Sequence, residues 1–294
     1  MTVGGGRTAA ITGASGYLGG IIRDRLQVSG WECIDLVRTQ QAPNARHYVI
    51  DEIPPSGLLD GIDVLVHCAY DMTARKRSDI WRINVDGTRR LLDLAAHAGV
   101  TRTIVVSSMS AFEGTSQLYG SAKLEIERQS EARGAVSIRP GLVYGPRAGG
   151  MAGAIAAITR LPIVPVFAAR SHQFTVHEDD LARAIELLID ADVAGMGTGA
   201  IGIANPVPVT FRQVVEGLGR MQGRTCRTVA VDWRAARLAL QTAERLGLDL
   251  PFRSDSLLGL AFPAPEVPRL ELLDALGITL RRFGQPVPSD PRPT

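Results

Sequence analysis

A tyrosine and a lysine four residues apart, Tyr119 and Lys123, are the side chains of this sequence best suited to proton transfer. The segment reads as helix from Tyr119 onward, and helical residues at i and i+4 share one face. A nearby ammonium favours a phenolate, so Lys123 is expected to lower the pKa of Tyr119 from its ordinary value of about 10. Such a tyrosine can exchange a proton with a carbonyl or carbinol oxygen, which indicates acid–base chemistry.

Two polar features can assist this pair. A serine-rich run at 107–110 precedes Tyr119, and the hydroxyl of Ser108, 11 residues before it, can share a substrate oxygen with the phenol. The alternative is a serine-rich turn without a chemical role. Asn84 lies where the sequence opens a helix. Its amide can hold a water against Lys123, or it can be a helix-start residue only.

A glycine-rich segment, TGASGYLG at 12–19, follows the short apolar run Thr8 to Thr12 and precedes a helical apolar spacing. The pattern predicts a strand, a tight turn and a helix. Glycines let backbone N–H groups approach a pyrophosphate, whose charge is favoured at a helix N-terminus. The spacing G-x-x-G-x-x-G departs by one residue from the usual dinucleotide fingerprint, and a turn without a ligand is the alternative. The residues expected to contact a dinucleotide are Gly13, Ser15, Gly16, Tyr17, Leu18 and Gly19.

The end of the second predicted strand, Cys33 to Arg38, indicates which dinucleotide is bound. In folds of this type an acid about 20 residues beyond the glycine turn binds the ribose hydroxyls of NAD, whereas an arginine accommodates the 2′-phosphate of NADP. Arg38 stands at that position, so NADP is predicted, with NAD as the alternative. If the strand ends earlier, Asp35 takes the NAD role and Arg38 is an exposed strand-end charge.

Three further residues lie in or after predicted strands, near the edge where open parallel sheets bind ligands. Asp51 follows a third strand at 47–50 and is either an acceptor for the adenine amino group or a turn-forming aspartate. Ala69 ends a fourth strand at 63–69, and its small side chain lets a cofactor lie close. His67, inside that apolar run, is predicted to be a core histidine.

The composition limits the class of protein. The 294 residues are 45% hydrophobic and 21% charged with a net charge of +2, which gives no reason to expect a nucleic-acid or membrane partner. Three cysteines without a paired short spacing predict neither a disulfide framework nor a metal site. A cytoplasmic location is expected, since no signal peptide or membrane span is recognisable.

The remaining elements are predicted from apolar patterns and turn residues. Strands are expected at 103–107, 135–139 and 200–204, and helical segments at 151–160, 211–219 and 233–246. His177 and the acidic run that follows it are predicted to cap a helix and complement its dipole rather than to act in catalysis. The proline-rich end, 286–294, is expected to be disordered.

Seven motifs in this order resemble the short-chain dehydrogenase/reductase superfamily, and more closely its extended branch, the NAD(P)-dependent epimerase/dehydratase family. They are TGASGYLG at 12–19, DVLVHCA at 63–69, NVDGT at 84–88, SSMSAFEG at 107–114, YGSAK at 119–123, RPGLVYGP at 139–146 and VHEDDLARAI at 176–185. The resemblance implies an α/β chain with a Rossmann-type, doubly wound parallel sheet and a small C-terminal portion that closes over the substrate.

The resemblance also implies a division of the chain and roles for its residues. Residues 1–145 are expected to form the NAD(P)-binding core, 146–285 to complete it and form the substrate-binding cap, and 286–294 to be a tail. Tyr119 is implied as the acid/base, and Lys123 as the group that lowers its pKa and binds the nicotinamide ribose. Ser108 is implied to orient the substrate oxygen, and Asn84 to support Lys123. Homodimers are common in the superfamily, so a homodimer is a further expectation.

Two departures from the family pattern bear on the reaction. Dehydratases of this family carry a Thr-Asp-Glu-like run after the fifth strand, whereas the run at 108–110 is Ser-Met-Ser, so dehydration is disfavoured. One register relative to Gly114 also puts Met109 at the hydroxyl position. The choice of the catalytic hydroxyl among Ser107, Ser108 and Ser110 therefore stays open.

The leading hypothesis is an NADPH-dependent reductase of a keto group on a sugar-like, nucleotide-linked small molecule. Arg38 favours net reduction, because NADP cofactors generally exchange with solution. An NAD-dependent nucleotide-sugar epimerase and a reductase of a non-sugar carbonyl are the alternatives among enzymes. A catalytically silent NAD(P)-binding regulatory protein is the alternative from another class, and the presence of Ser108, Tyr119 and Lys123 speaks against it.

Overall fold

The computed structural model describes residues 6–39, 42–147, 149–192, 198–248 and 252–285. The strands are β1 (Thr8–Thr12), β2 (Glu32–Val37), β3 (Ala45–His47), β4 (Val64–His67), β5 (Arg102–Val106), β6 (Val136–Pro140), β7 (Leu142–Tyr144), β8 (Val164–Phe167), β9 (His172–Gln173), β10 (Thr175–His177), β11 (Ile201–Ile203), β12 (Val209–Thr210) and β13 (Thr228–Val231).

The helices alternate with these strands through most of the chain. They are α1 (Tyr17–Val28), α2 (Arg77–Ile80), a π-helical turn (Trp81–Val85), α3 (Asp86–His97), α4 (Leu118–Glu131), α5 (Gly150–Ile158), α6 (Glu178–Asp190), α7 (Phe211–Met221), α8 (Trp233–Arg245), α9 (Ser254–Ala261) and α10 (Glu271–Ala275).

A seven-stranded sheet with helices on both faces organises the molecule. Its order is β11-β6-β5-β4-β1-β2-β3, and every pairing is parallel. Helices α1 and α6 pack on one face through Ile22, Leu26 and Leu188, and α3 packs on the other through Leu91 and Ala95. The predicted Rossmann-type, doubly wound α/β fold is confirmed. The chain leaves β1 toward one edge and β4 toward the other, so the carboxyl ends of these two strands flank the switch point where such sheets bind ligands.

A second apolar cluster lies in the C-terminal part of the chain. Ile155 of α5, Val166 of β8, Phe211 of α7 and Leu257 of α9 are among its buried members. In contrast, α6 and β11 belong to the layers of the central sheet, although both follow residue 145. A domain boundary at residue 145 stays a prediction, and the proline-rich tail lies outside the described residues.

The third strand differs from its prediction. It spans Ala45–His47 rather than 47–50, with Ala45 paired to Asp35 of β2. The N–H of Glu52 donates to the Val49 carbonyl and closes a turn, which takes the following residues out of the sheet. Tyr48 is buried, and its N–H donates to the Val37 carbonyl of β2 at 2.9 Å, so the backbone pairing ends at this residue.

Candidate active site

A cavity of about 920 Å³ opens at the carboxyl ends of the parallel strands. The segments that follow β1, β4, β5 and β6 form one side of it, and residues of α8 and α9 form the other. Among the residues predicted to function, those that border this cavity are Gly13, Gly16, Tyr17, Leu18, Gly19 and Tyr119, together with Ser107 and Ser110 of the serine-rich run.

The glycine turn approaches its neighbours too closely for side chains. Gly13 has a φ of +67°, and a Cβ there would lie 3.2 Å from the Cα of Ala69. A Cβ at Gly19 would lie 2.3 Å from the Gly13 carbonyl oxygen. Helix α1 starts directly after Gly16, which has no side chain to cap it. This bare turn at a helix N-terminus fits the pyrophosphate of a dinucleotide. Ser15 is exposed in the same turn.

The strand ends beside this turn are joined by a buried polar network. Thr12 Oγ1 accepts hydrogen bonds from the N–H groups of Cys68 and Ala69, both at 3.0 Å, and lies 2.8 Å from His67 Nδ1. The other ring nitrogen of His67 lies 2.9 Å from Thr88 Oγ1. Burial lowers the pKa of His67 to about 3, so its ring is neutral at physiological pH. The prediction of a core histidine is confirmed.

Tyr17 links the glycine turn to a distant helix, a contact that sequence reasoning missed. Its hydroxyl donates to Glu178 Oε2 at 2.6 Å, and Gly149 packs so closely that a Cβ there would lie 2.2 Å from the ring. Burial and the Glu178 carboxylate raise the pKa of Tyr17. His177 caps α6 by accepting from the Asp179 N–H, and acidic side chains occupy the first turn, as predicted.

Arg38 and Asp35 were the competing candidates for the adenosine ribose. Arg38 is exposed and directly follows β2, as its proposed role requires. Asp35 lies two residues before the strand ends and accepts a 3.2 Å hydrogen bond from Arg23. The guanidinium of Arg38 is therefore the charged group at the strand terminus. The Asp35 carboxylate binds Arg23 through Oδ2, whereas its Oδ1 is buried and has no hydrogen-bond partner within the described residues.

Asp51 lies away from the cavity. Because β3 ends at His47, Asp51 is four residues beyond the strand rather than directly after it. It is exposed and forms an ion pair with Arg82, whose hydrogen bond lowers the pKa of the Asp51 carboxyl. The structure gives this residue a salt-bridge partner on the π-helical turn and does not bring it to the cavity.

Tyr119 and Lys123 share one face of α4, but they are not in direct contact. Lys123 Nζ donates to the Val106 carbonyl at 2.7 Å and lies 6.0 Å from the centroid of the Tyr119 ring. It is closer, at 4.7 Å, to the ring of Tyr70, which packs edge-on against Tyr119. The helical spacing puts the two residues on one face of α4, as predicted. The ammonium of Lys123, however, is bound by the carbonyl at the end of β5 and not by Tyr119.

The pKa values follow burial more than pairing. Burial raises the pKa of Tyr119 to about 12, and the adjacent Ser108 hydroxyl opposes this effect. Burial lowers the pKa of Lys123 to about 8, against the charges of Cys68 and Glu127. The expected lowering of the Tyr119 pKa by Lys123 is therefore not found, because the ammonium is distant and desolvation of the phenolate dominates.

Ser107 belongs to a buried ion-pair network. Its hydroxyl donates to Glu127, whose carboxylate also accepts hydrogen bonds from Arg139 at 2.9 and 2.7 Å. Glu127 follows Lys123 by four residues in α4, so this network lies directly behind the lysine. Ser107 borders the cavity, but its proton is already donated to a carboxylate.

The Ser108 hydroxyl is the one that interacts with Tyr119. Its oxygen also accepts from the Ser110 N–H at 3.1 Å. Met109 and Ser110 both border the cavity. If Met109 occupies the position that carries the catalytic hydroxyl in the family, the side chain at that position is a thioether. The catalytic role of Ser108 stays a prediction.

Asn84 is fully buried, but in a different setting from the predicted one. It lies within the π-helical turn, and its amide accepts from the Asp71 N–H at 2.6 Å and donates to the Asp71 carbonyl at 3.1 Å. Both ends of the amide are thus occupied by the loop after β4. Asn84 therefore supports the loop that carries Tyr70, and its predicted contact with Lys123 through a water stays a prediction.

Arginines that line the cavity are a feature that sequence reasoning did not find. The arginines among the lining residues are Arg75, Arg237, Arg245 and Arg253. Arg237 Nε is buried and has no hydrogen-bond partner within the described ranges. Only the fold brings α8, α9 and the loop after β4 together, so the spacing of these arginines in the sequence carries no signal.

Within the described part of the chain, no helix has the length and apolar character that crossing a bilayer requires. No group of three or more histidine, cysteine or acidic side chains is arranged there to hold a metal ion. Cys33, Cys68 and Cys226 are free thiols.

Known proteins similar to this chain were compared with it in sequence and in structure. An uncharacterized protein of Mycobacterium tuberculosis is 29% identical over 218 residues, which are 72% of this chain but only 23% of that protein. Ceramide reductase of Caulobacter vibrioides is 30% identical over 236 residues, 75% of this chain and 72% of the reductase. The solved structure of MoeE5 in complex with UDP-glucuronic acid and NAD has the same fold, with a TM-score of 0.63, 22% identity and coverage of 86% of this chain and 97% of that one.

The model of the NAD dependent epimerase/dehydratase family matches residues 9–204. That range contains the glycine turn, the helix with Tyr119 and Lys123, and all seven strands of the central sheet. The chain belongs to the NAD-dependent epimerase/dehydratase family.

Proposed function

We propose that the chain is an NADPH-dependent ketoreductase in which Tyr119 donates the proton. The observation that carries this proposal is the Tyr119 side chain at the wall of the cavity that the bare glycine turn also borders. A dinucleotide held by the turn at 13–19 would supply the hydride. With a pKa of about 12, the phenol is protonated at neutral pH, which suits an acid that protonates a developing alkoxide.

Neighbouring groups support this proton donor in different ways. The Ser108 hydroxyl can donate a hydrogen bond to the same substrate oxygen, where negative charge develops. Lys123, with a pKa of about 8, is largely cationic at neutral pH and is proposed to bind the nicotinamide ribose, as the family resemblance implies. Asn84 supports Tyr119 indirectly, because it holds the loop whose Tyr70 packs against the Tyr119 ring.

NADP is the proposed cofactor, with NAD as the alternative. Arg38 is an exposed guanidinium at the end of β2, and such a group can bind a 2′-phosphate through two parallel hydrogen bonds. Asp35, the acid that would favour NAD, binds Arg23 through Oδ2, and its unpartnered Oδ1 is the observation that supports the NAD alternative. The family as a whole takes its name from NAD, so the choice rests on Arg38.

The first candidate substrate is a keto sugar linked to a nucleotide. Its diphosphate would meet the arginines on α8 and α9, among them Arg237 with its unpartnered buried Nε. Guanidinium groups bind phosphate oxygens in a fixed, bidentate geometry. MoeE5, which shares the fold, was solved with UDP-glucuronic acid.

An apolar ketone is the second candidate. Met72, Met109, Phe174, Leu258 and Leu260 border the same cavity and would contact a hydrocarbon body. Thioether side chains adapt to irregular apolar ligands. The relative from Caulobacter vibrioides is a ceramide reductase, which also favours a substrate with a large apolar part.

The test is to incubate the purified protein with NADPH or NADH and two panels of substrates, nucleotide-linked 4-keto sugars and long-chain or aromatic ketones. We expect NADPH consumption, followed by absorbance, with one panel and a lower KM for NADPH than for NADH. Interconversion of nucleotide sugars without any change in absorbance would identify an epimerase instead. Binding of NADPH without turnover on either panel would favour the silent regulatory protein.

A further inference from the structure

The first turn of helix α4 is capped by a residue from the other end of the chain. Gln117, at the N-cap position, makes no side-chain cap. Instead, Asp255 Oδ1 accepts from the Leu118 N–H at 3.0 Å, and Asp255 Oδ2 accepts from the Tyr119 N–H at 3.3 Å. One carboxylate therefore binds two of the N–H groups that a helix start leaves without partners. Its negative charge also lies at the positive end of the helix dipole.

Helix α9, which carries Asp255, is fixed to several other walls of the cavity. The N–H and hydroxyl of Ser254 donate to Glu244 of α8, both at 2.8 Å. Arg253 donates to the Met72 carbonyl in the loop after β4 at 2.8 Å. The position of Asp255 therefore depends on α8 and on the loop after β4 as well as on α4.

The remainder of α4 has its own anchors. Ala122 and Ile126 are buried against Val105 in an apolar cluster, and Lys123 donates to the end of β5. Loss of the cap should therefore loosen the first turn rather than the helix. That first turn contains Tyr119, the proposed proton donor.

We propose that Asp255 is a positioning residue that couples the substrate-facing wall of α8 and α9 to the backbone of Tyr119. The carboxylate binds the amide of the reacting residue itself, so a displacement of α9 is transmitted directly to the phenol. This inference rests on the proposed function, because it assigns to Asp255 the geometry of the proton donor.

The test compares Asp255→Ala with Asp232→Ala, using NADPH and 9,10-phenanthrenequinone, an aromatic diketone probe. Asp232 is a matched control, because its exposed carboxylate caps only the first turn of α8 through the N–H groups of Arg234 and Ala235, about three turns before Glu244, the α8 residue that holds α9. In Asp255→Ala we expect kcat to fall about tenfold or more with little change in the affinity for NADPH, since small displacements of a catalytic group are costly. Asp232→Ala should keep the wild-type kcat. Asp255→Asn, which keeps one acceptor oxygen, should lie between wild type and Asp255→Ala.

Amide hydrogen exchange provides a second readout that needs no substrate. The Leu118 and Tyr119 amides should exchange faster in Asp255→Ala and at the wild-type rate in Asp232→Ala. Unchanged kcat and exchange in Asp255→Ala, or an equal loss of NADPH affinity and kcat, would overturn the inference. If Asp255→Ala does not fold, Asp255→Asn is tested in its place by both readouts. Retention of activity in Tyr119→Phe would instead overturn the proposed function, so the two failures are distinct.

Discussion

At the scale of single residues, burial keeps the phenol of Tyr119 protonated at neutral pH. A phenol surrounded by Tyr70 and the strand ends keeps its proton, because a phenolate would lose its hydration there. Lys123 is held by the Val106 carbonyl and does not offset this effect of burial on the pKa of Tyr119. A protonated Tyr119 is the state that the proposed reduction of a carbonyl requires.

The corresponding prediction concerns Tyr119→Phe. Removing the phenolic oxygen deletes the proton donor, so kcat should fall by about 10²- to 10⁴-fold, while NADPH affinity stays close to wild type. Steady-state kinetics and fluorescence titration of NADPH would measure the two effects. Tyr48→Phe is the matched control, because Tyr48 is buried under α3 and its hydroxyl has no partner within the described residues. Equal activity of the two variants would contradict the assignment.

At the scale of elements, the cofactor turn depends on how closely β1, α1 and β4 approach. Gly19 of α1 packs directly against the Gly13 carbonyl. The Thr12 hydroxyl oxygen accepts hydrogen bonds from the backbone after β4 and so joins β1 to the end of that strand. The contact of Gly19 with Gly13 is between backbones and leaves no room for a side chain. The turn is therefore sensitive to the addition of a single methyl group.

Gly19→Ala should abolish or strongly weaken NADPH binding, because its Cβ would lie 2.3 Å from the Gly13 carbonyl oxygen and displace α1 from the turn. Gly20→Ala is the control, since its Cβ would make an ordinary contact of 3.5 Å with the Ala14 carbonyl. Alanine is also the better helix former there. Titration with NADPH should separate the two variants, and similar affinities would contradict this account of the turn.

His67, which joins β1, β4 and α3, predicts a dependence of stability on pH. Its pKa is about 3 in the folded chain and has an ordinary value of 6.5, so only the unfolded chain binds the proton between these values. The contribution of neutral His67 to the free energy of unfolding is fully present above pH 6.5. It decreases as the pH falls toward 3, by up to about 1.4 kcal/mol per pH unit.

Urea unfolding of wild type and His67→Gln at several pH values measures this contribution. The difference in the free energy of unfolding between them should shrink as the pH falls from 7 to 4. A difference that stays constant with pH would contradict the neutral state of the buried ring.

At the scale of the whole molecule, the cavity is assembled from two apolar clusters. The sheet layer contributes the glycine turn and α4, whereas the cluster around Phe211 and Leu257 positions α9 with its arginine and aspartate. Under the proposed function, the residues that select the substrate and those that perform the chemistry therefore come from different parts of the chain. The homodimer, the cytoplasmic location and the domain boundary at residue 145 stay predictions.

The arginines that line the cavity should distinguish the two candidate substrate classes. In Arg237→Gln, the KM for a nucleotide-linked keto sugar should rise by about tenfold, because a charge-assisted hydrogen bond contributes roughly 1.5–3 kcal/mol. The KM for a neutral apolar ketone should stay within about twofold, as expected when no charged group contacts the arginine. Arg220→Gln, at an exposed position of α7, is the control. A KM unchanged for both substrates would exclude Arg237 from the substrate site.

The sequence by itself determined the features that depend on neighbouring residues. The glycine turn between β1 and α1, the arginine after β2 and the shared face of Tyr119 and Lys123 follow from local sterics and helical periodicity. Tertiary structure decided the partners that are distant along the chain. It joined Asn84 to Asp71.

The same holds for the residues that the sequence left open or placed wrongly. Tertiary packing engaged Ser107 with Glu127 and left Ser108 beside Tyr119, and the early end of β3 carried Asp51 away from the cavity. It also brought Asp255 to α4, a contact between residues 136 positions apart. Such contacts depend on how whole layers pack, and no local pattern of residue types encodes them.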